Sequence, residues 1–227
     1  ECEESEFSLF KNHIEYWKPE FGFDMYTQSD SPVGGGLGGS SSLSISIFKA
    51  FMKATQKKVD EYEIVRACSG IEAKILKTPT GTQDYFPPIE GGINIIDYEF
   101  GWPRVERLSV EKLNLNERIS IFYTGKSHHS GINNWQVLKK FIDGDKKTVL
   151  ALKGIAQVSG KMKKLIFEEN WEEIPTLFKE EYEARMDLAE SFSSPEIEKL
   201  AEIALNNGGE AIKICGAGGG GCVFIWS

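Results

Sequence analysis

Along the chain the apolar positions change their period twice, from helical to extended and back to helical. Phe7, Leu9, Phe10, His13, Ile14 and Trp17 fall on one face of a helix that stops before Pro19. Phe21-Gly22-Phe23-Asp24-Met25-Tyr26-Thr27 alternates and predicts a strand, and Leu43, Ile45, Ile47, Phe48, Phe51 and Met52 predict a buried helix behind a glycine-rich stretch. A further helix is expected from Asp60 as N-cap, with Glu63 completing a capping box, to about Lys77; Ile64, Ala67, Cys68, Ile71 and Ile75 form its apolar stripe. Thr78-Pro79-Thr80-Gly81 ends it, and an irregular segment follows to Pro88. Extended patterning then runs over 93–98, 104–110 and 118–123. From about Gly131 the period is helical again, over 131–142, 145–168, 170–191 and 195–206. The last of these is bounded by Ser194 as cap, Pro195 at the first position and Asn206-Asn207-Gly208-Gly209 at the end. Two strands, Ala211 to Cys215 and Cys222 to Trp226, close the chain around Gly216-Ala217-Gly218-Gly219-Gly220-Gly221. The pattern predicts an α+β chain of two domains, 1–127 rich in β structure and 128–227 mainly helical.

Composition narrows the function classes. The 227 residues are 41% hydrophobic, enough for a sizeable core, and the formal net charge of −8 argues against a nucleic-acid or anionic-membrane surface. A small phosphorylated ligand in a local pocket remains compatible with that charge. No apolar run approaches the ~20 residues of a membrane span and no signal-peptide pattern opens the chain, so a cytoplasmic protein is expected. Cys2, Cys68, Cys215 and Cys222 have no CxxC spacing, which predicts reduced thiols and no zinc site.

The chemistry concentrates in Ser31-Pro32-Val33-Gly34-Gly35-Gly36-Leu37-Gly38-Gly39-Ser40-Ser41-Ser42. Five glycines in the six positions 34–39 let successive N–H groups turn towards one anion, and the helix N-terminus behind them adds unpaired donors. This is a phosphate cradle. A Walker loop is excluded because Gly34-x4-Gly39 is followed by Ser40-Ser41 and not by lysine; the dinucleotide fingerprint Gly34-x-Gly36-x-x-Gly39 lacks its acidic partner, since Lys57-Lys58 stands about 20 residues on. Phosphoryl transfer needs a cradle, an oxygen-ligated Mg²⁺ and a carboxylate at the attacking hydroxyl. The two glycine loops and the segment from Glu72 to Asp84 supply candidates for these parts. Each also has a plainer reading: Ser40 as a helix cap, Glu72 as a solvated helix residue, Asp84 as the cap of a short helix, and His128-His129 as ordinary loop residues with no third ligand nearby.

Pro32-x3-Gly36-Leu37-Gly38-x-Ser40 resembles the second signature of the GHMP kinases (galactokinase, homoserine kinase, mevalonate kinase, phosphomevalonate kinase). The Glu72 to Asp84 segment and Lys213-Ile214-Cys215-Gly216-Ala217-Gly218-Gly219-Gly220-Gly221 resemble the family's other active-site segments in the same order. The resemblance implies a two-domain GHMP kinase fold and an ATP-dependent sugar kinase. It assigns the nucleotide phosphates to Gly34, Gly35, Gly36, Leu37, Gly38, Gly39, Ser40 and Ser41 with Gly216, Gly218 and Gly219, the Mg²⁺ to Ser40 and Glu72, and the role of base to Asp84. Gln83-Asp84, Gly91-Gly92-Ile93-Asn94, Tyr123-Thr124-Gly125 and the 194–221 close are most similar to kinases of D-glycero-D-manno-heptose 7-phosphate. A galactokinase- or fucokinase-like sugar 1-kinase and a non-catalytic sugar- or nucleotide-binding regulator are the alternatives. Gly39 stands where the family usually has serine, so the hydroxyl ligand falls to Ser40, with Ser41 as the fallback. Lys126-Ser127-His128-His129 stands where heptose kinases tend to carry arginine. Only 31 residues precede Pro32, whereas domain size puts the family's first signature ~60–80 residues upstream of the loop; the expectation is a first domain incomplete at its start.

Overall fold

A computed structural model describes residues 7–108, 115–127 and 130–227. They fall into two compact units: one holds the chain up to residue 30 and from 38 to 108, the other holds 31–37 and everything from 115 onwards.

The first unit is built on three helices. Helix α1 (Ser8–Trp17) ends at Lys18 in a left-handed conformation, α2 spans Gly39–Thr55, and α3 spans Glu61–Leu76. Their apolar stripes meet in one core of Trp17, Ile45, Phe48, Phe51, Ile64, Val65 and Cys68, where the Trp17 ring stands edge-on to Phe48 at 4.7 Å. Asp60 caps α3 as its spacing predicts, accepting from the Glu63 N–H at 2.9 Å. The Glu63 side chain, expected to reach back to the cap, accepts instead from the Tyr16 hydroxyl. A 3₁₀ turn at Gln83–Tyr85 and the short helix α4 (Pro87–Glu90) lead into an antiparallel hairpin of β1 (Ile93–Asp97) and β2 (Arg104–Leu108). Trp102 in the connection stacks on Tyr62 of α3 at 4.0 Å. The strand expected over 21–27 does not form. No strand among the described residues pairs with that stretch, and without ladder hydrogen bonds alternation alone leaves it irregular.

The second unit carries a three-stranded antiparallel sheet in the order β3 (Ile119–Tyr123), β5 (Cys222–Trp226), β4 (Ala211–Ile214). A four-residue helix, α5 (Leu115–Arg118), precedes β3. Although the expected domain 1–127 includes β3, this strand pairs along its length with β5 at the end of the chain and so lies with the second unit. Helices α6 (Ser130–Ile142), α7 (Lys146–Phe167), α8 (Ile174–Met186) and α9 (Pro195–Asn206) complete the unit. Val158, Leu165, Ile174 and Leu177 pack with Ala211 and Trp226, while Ile197 and Ala201 pack with Ile212, Ile214, Val223 and Ile225. Ser194 caps α9 by accepting from the Ile197 N–H, with Pro195 at the first position. The single helix expected over 170–191 is divided into a 3₁₀ turn at Trp171–Glu173, α8, and a 3₁₀ turn at Glu190–Phe192. Pro175 has no N–H to give a preceding turn, so it sets a helix start in the middle of the apolar pattern.

Candidate active site

The glycine loop is shared between the two units, and the chain passes from one to the other at the Leu37–Gly38 peptide. Its two parts are built differently.

In the first unit, Gly38 is the N-cap of α2 and offers no side-chain cap, and no acidic residue stands in the first turn. The first intrahelical bond runs from the Ser42 N–H to the Gly38 carbonyl at 2.9 Å. The amides of Gly39, Ser40 and Ser41 therefore have no acceptor within the helix, and together with the helix dipole they form a donor set suited to phosphate oxygens. Because Gly38 occupies the cap, Ser40 sits at the second helical position with an exposed side chain, and the reading of Ser40 as a mere cap falls away. Asp84 lies directly against this helix start: a Cβ placed on Gly38 would meet the Asp84 Cβ at 3.4 Å and its Cγ at 3.6 Å. The Asp84 side chain is open to solvent on one side and crowded on the other. Desolvation raises its carboxyl above the ordinary range, with the Gln83 side chain acting in the opposite sense.

Glu72, near the end of α3, is half-buried, and its Oε2 accepts from the Tyr85 hydroxyl at 2.7 Å. Tyr85 is fully buried, and the Ser41 side chain stands near its phenol. Desolvation, then the Glu72 carboxylate, pushes the Tyr85 phenol well above its usual range, so it stays protonated and donates. Tyr85 escaped the sequence reading because a tyrosine in an irregular, proline-flanked segment carries no periodic signal. Its position beside Asp84 was the only available hint. Tyr98, directly after β1, meets the Thr82 hydroxyl at 3.1 Å and adds a second phenol near Asp84.

In the second unit, residues 31–37 lie on the turn between β4 and β5. The Gly35 carbonyl accepts from the Cys222 N–H at 2.8 Å, and a Cβ on Gly36, whose φ is +74°, would fall 2.7 Å from the Cys215 carbonyl oxygen. The two glycine motifs, some 180 residues apart in the chain, are thus packed backbone to backbone. The amide of Gly35 is spent on the Pro32 carbonyl (3.0 Å) and that of Gly219 on the Phe192 carbonyl (2.9 Å), which leaves those two glycines shaping the loops and removes them as N–H donors to a ligand. Gly221 donates to the Lys126 carbonyl at 2.7 Å and accepts from Thr124, so the 123–127 segment is bound to the second glycine loop. The Lys126 ammonium faces Glu196 at 3.8 Å, and His128-His129 lie outside the described residues. Behind the loop, buried Glu181 of α8 accepts from Arg185 and from Lys213 of β4, and Arg185 also donates to the Gly216 carbonyl at 3.2 Å.

The exposed Ser40 hydroxyl and the Glu72 carboxylate are oxygen donors of the kind a hard divalent cation takes, whereas the Ser41 hydroxyl is buried towards Tyr85. Among the described residues no cluster of three or more His, Cys, Asp or Glu side chains is arranged as a protein-only metal cage. One carboxylate and one hydroxyl would suit a Mg²⁺ whose coordination is completed by nucleotide phosphates. No helix among the described residues is long and apolar enough to cross a membrane.

A helix start with unbonded amides, an aspartate against it and a carboxylate one phenol away suits phosphoryl transfer, and family profiles give the class. The profile described as GHMP kinases N terminal domain matches residues 7–92, and that described as GHMP kinases C terminal matches residues 162–227; the chain belongs to the GHMP kinases. Its relatives include the D-glycero-alpha-D-manno-heptose 7-phosphate kinase of Campylobacter jejuni, 28% identical over 220 residues. That match covers 93% of this chain and 63% of the relative, so the chain spans less than two thirds of that protein's length. Among solved structures, a putative sugar kinase from Campylobacter jejuni matches 98% of this chain and 63% of its own at 25% identity with a TM-score of 0.63. The galactokinase of Lactococcus lactis complexed with galactose matches 97% of this chain and 66% of its own at 19% identity, with a TM-score of 0.75, a likeness of fold.

Proposed function

We propose that the protein containing this chain transfers the γ-phosphoryl group of ATP to a sugar hydroxyl, with the anomeric hydroxyl of D-glycero-D-manno-heptose 7-phosphate as the acceptor. The observation that carries the reading is Asp84 against Gly38, which sets a partly desolvated carboxylate beside uncapped helix amides. The heptose phosphate kinase relative supports the substrate class. In this reading the amides of Gly39, Ser40 and Ser41 bind phosphate oxygens and need no reorganisation as charge builds on them. Gly34 to Leu37, with Gly216 and Gly218, are nucleotide-binding candidates on the family resemblance alone. Ser40 and Glu72 hold Mg²⁺, which supplies charge neutralisation at the phosphates when bound. Asp84 accepts the proton of the sugar hydroxyl as its oxygen forms the bond to the γ-phosphorus and ADP leaves, a contribution of roughly 10²–10⁴-fold for a general base.

A coupled ADP-release assay over a panel of sugars and sugar phosphates tests this. The expected result is saturable, heptose 7-phosphate-dependent release. Release with galactose or fucose alone would move the protein to another sugar 1-kinase, and nucleotide binding without release for any sugar would favour a regulator.

A further inference from the structure

Tyr85 does more than fill space. Its ring is fully buried in the first unit's core beside an equally enclosed Phe86, so the core at this point accommodates a plain aromatic ring. A buried phenol oxygen needs partners, and a phenylalanine in its place would need none. Its hydrogen-bond partner is Glu72 of α3, whose Oε2 takes its proton at 2.7 Å, and Ser41 of the first turn of α2 stands near enough to the phenol to oppose the rise in its pKa. The carbonyl of Cys68 is a weaker third neighbour at 3.5 Å. One hydroxyl proton cannot serve both acceptors fully, and the shorter, charge-assisted bond to the carboxylate wins. That bond occupies Oε2 of Glu72 and leaves Oε1 with its capacity for a cation. Through the backbone, Tyr85 is also the residue next to Asp84 in the 3₁₀ turn Gln83–Tyr85.

We propose that Tyr85 is a positioning residue for the cation site: its phenol oxygen fixes the Glu72 carboxylate relative to the first turn of α2, which carries Ser40. This rests on the reading of Ser40 and Glu72 as cation ligands. The role is the one that outer hydrogen bonds play for metal-ligating carboxylates, where loss of the partner costs 10–100-fold in metal affinity or activity.

The test is Tyr85→Phe, which deletes one oxygen and keeps the ring. Two dissociation constants are measured by competition against a fluorescent nucleotide: ATP with chelator, and ATP with saturating Mn²⁺ or Mg²⁺. The expected outcome is that metal-free ATP binding stays within about two-fold of the wild type while the metal-dependent gain in affinity shrinks about tenfold. The Mg²⁺ concentration for half-maximal ADP release should rise in parallel. Glu72→Gln is run beside it. If Glu72→Gln removes the metal-dependent gain and Tyr85→Phe leaves it intact, the positioning role is overturned and the cation reading survives; if neither variant changes it, both fall. Should Tyr85→Phe not fold, Ser41→Ala carries the test, since it removes the phenol's polar neighbour on α2 and should also reduce the metal-dependent gain. An unchanged gain in Ser41→Ala would overturn the proposal equally.

Discussion

Asp84 illustrates how surroundings shift a carboxylate, and in the proposed mechanism that shift prepares it for proton transfer. Contact with the α2 start at Gly38 removes water from one side, and desolvation disfavours the charged form, so its pKa rises towards the working range of a base. Because the base acts ionised, kcat/KM should fall as the pH drops through a value above the ordinary ~3.9 of aspartate, and the acid limb of the profile measures it. Asp84→Asn should lower kcat by roughly 10²-fold or more and keep MgATP affinity within a few-fold. Unchanged turnover would remove Asp84 from the mechanism. Asp84, Glu72 and Ser40 stand out in the sequence because their types and spacing resemble a known signature. Tyr85 does not, because its role depends on the crossing of α2 and α3 near the 82–86 segment, and no local pattern encodes a crossing. The spent amides of Gly35 and Gly219 were equally hidden, since composition does not tell which glycine N–H groups are already bonded to the protein.

Elements with a cap, a stripe and a stop were readable. Asp60 and Ser194 start α3 and α9 where their spacing predicts. At 21–27 strand pairing decides and at 170–191 a proline does, and local patterning encodes neither. The second glycine loop shows how an element constrains a residue type. A Cβ on Gly218, at φ +74°, would lie 2.5 Å from the Phe192 carbonyl oxygen and 2.8 Å from its Cα, both backbone atoms that cannot turn aside. Gly160 in the interior of α7 meets nothing within 4 Å. The same chemical change should therefore have opposite signs at the two positions. Gly160→Ala should stabilise by up to about 1 kcal/mol through helix propensity, whereas Gly218→Ala should destabilise by about 2 kcal/mol or more through left-handed strain and overlap. Denaturant unfolding of both variants measures the pair, and equal effects would mean that the loop relaxes freely around Phe192.

At the scale of the whole molecule, each unit has its own core, and the cores respond to acid through different groups. In the first unit His13 is fully buried, its Nε2 bonded to the Ser44 hydroxyl at 2.9 Å. Burial lowers the His13 pKa from 6.5 to about 4, so the folded unit keeps the imidazole neutral where the unfolded chain binds a proton. Stability from this group is complete above pH 6.5, declines as the pH falls towards 4, and loses nothing more below that. At pH 5 the loss is roughly 2 kcal/mol. In the second unit the buried group is Glu181. Burial alone would raise its pKa, but the charges of Lys213 and Arg185 outweigh it and the net shift is downward from 4.5. Its contribution is therefore intact at pH 5 and is lost only as the pH falls below 4.5. Hydrogen exchange at pH 7 and pH 5, corrected for intrinsic rates, should separate the two. Amides of α1, α2 and α3 should lose roughly 30-fold in protection, those of β4 and β5 should keep theirs, and His13→Gln should flatten the pH dependence of the first group. An equal loss in both units, or a loss that persists in His13→Gln, would show that acid acts through groups other than His13.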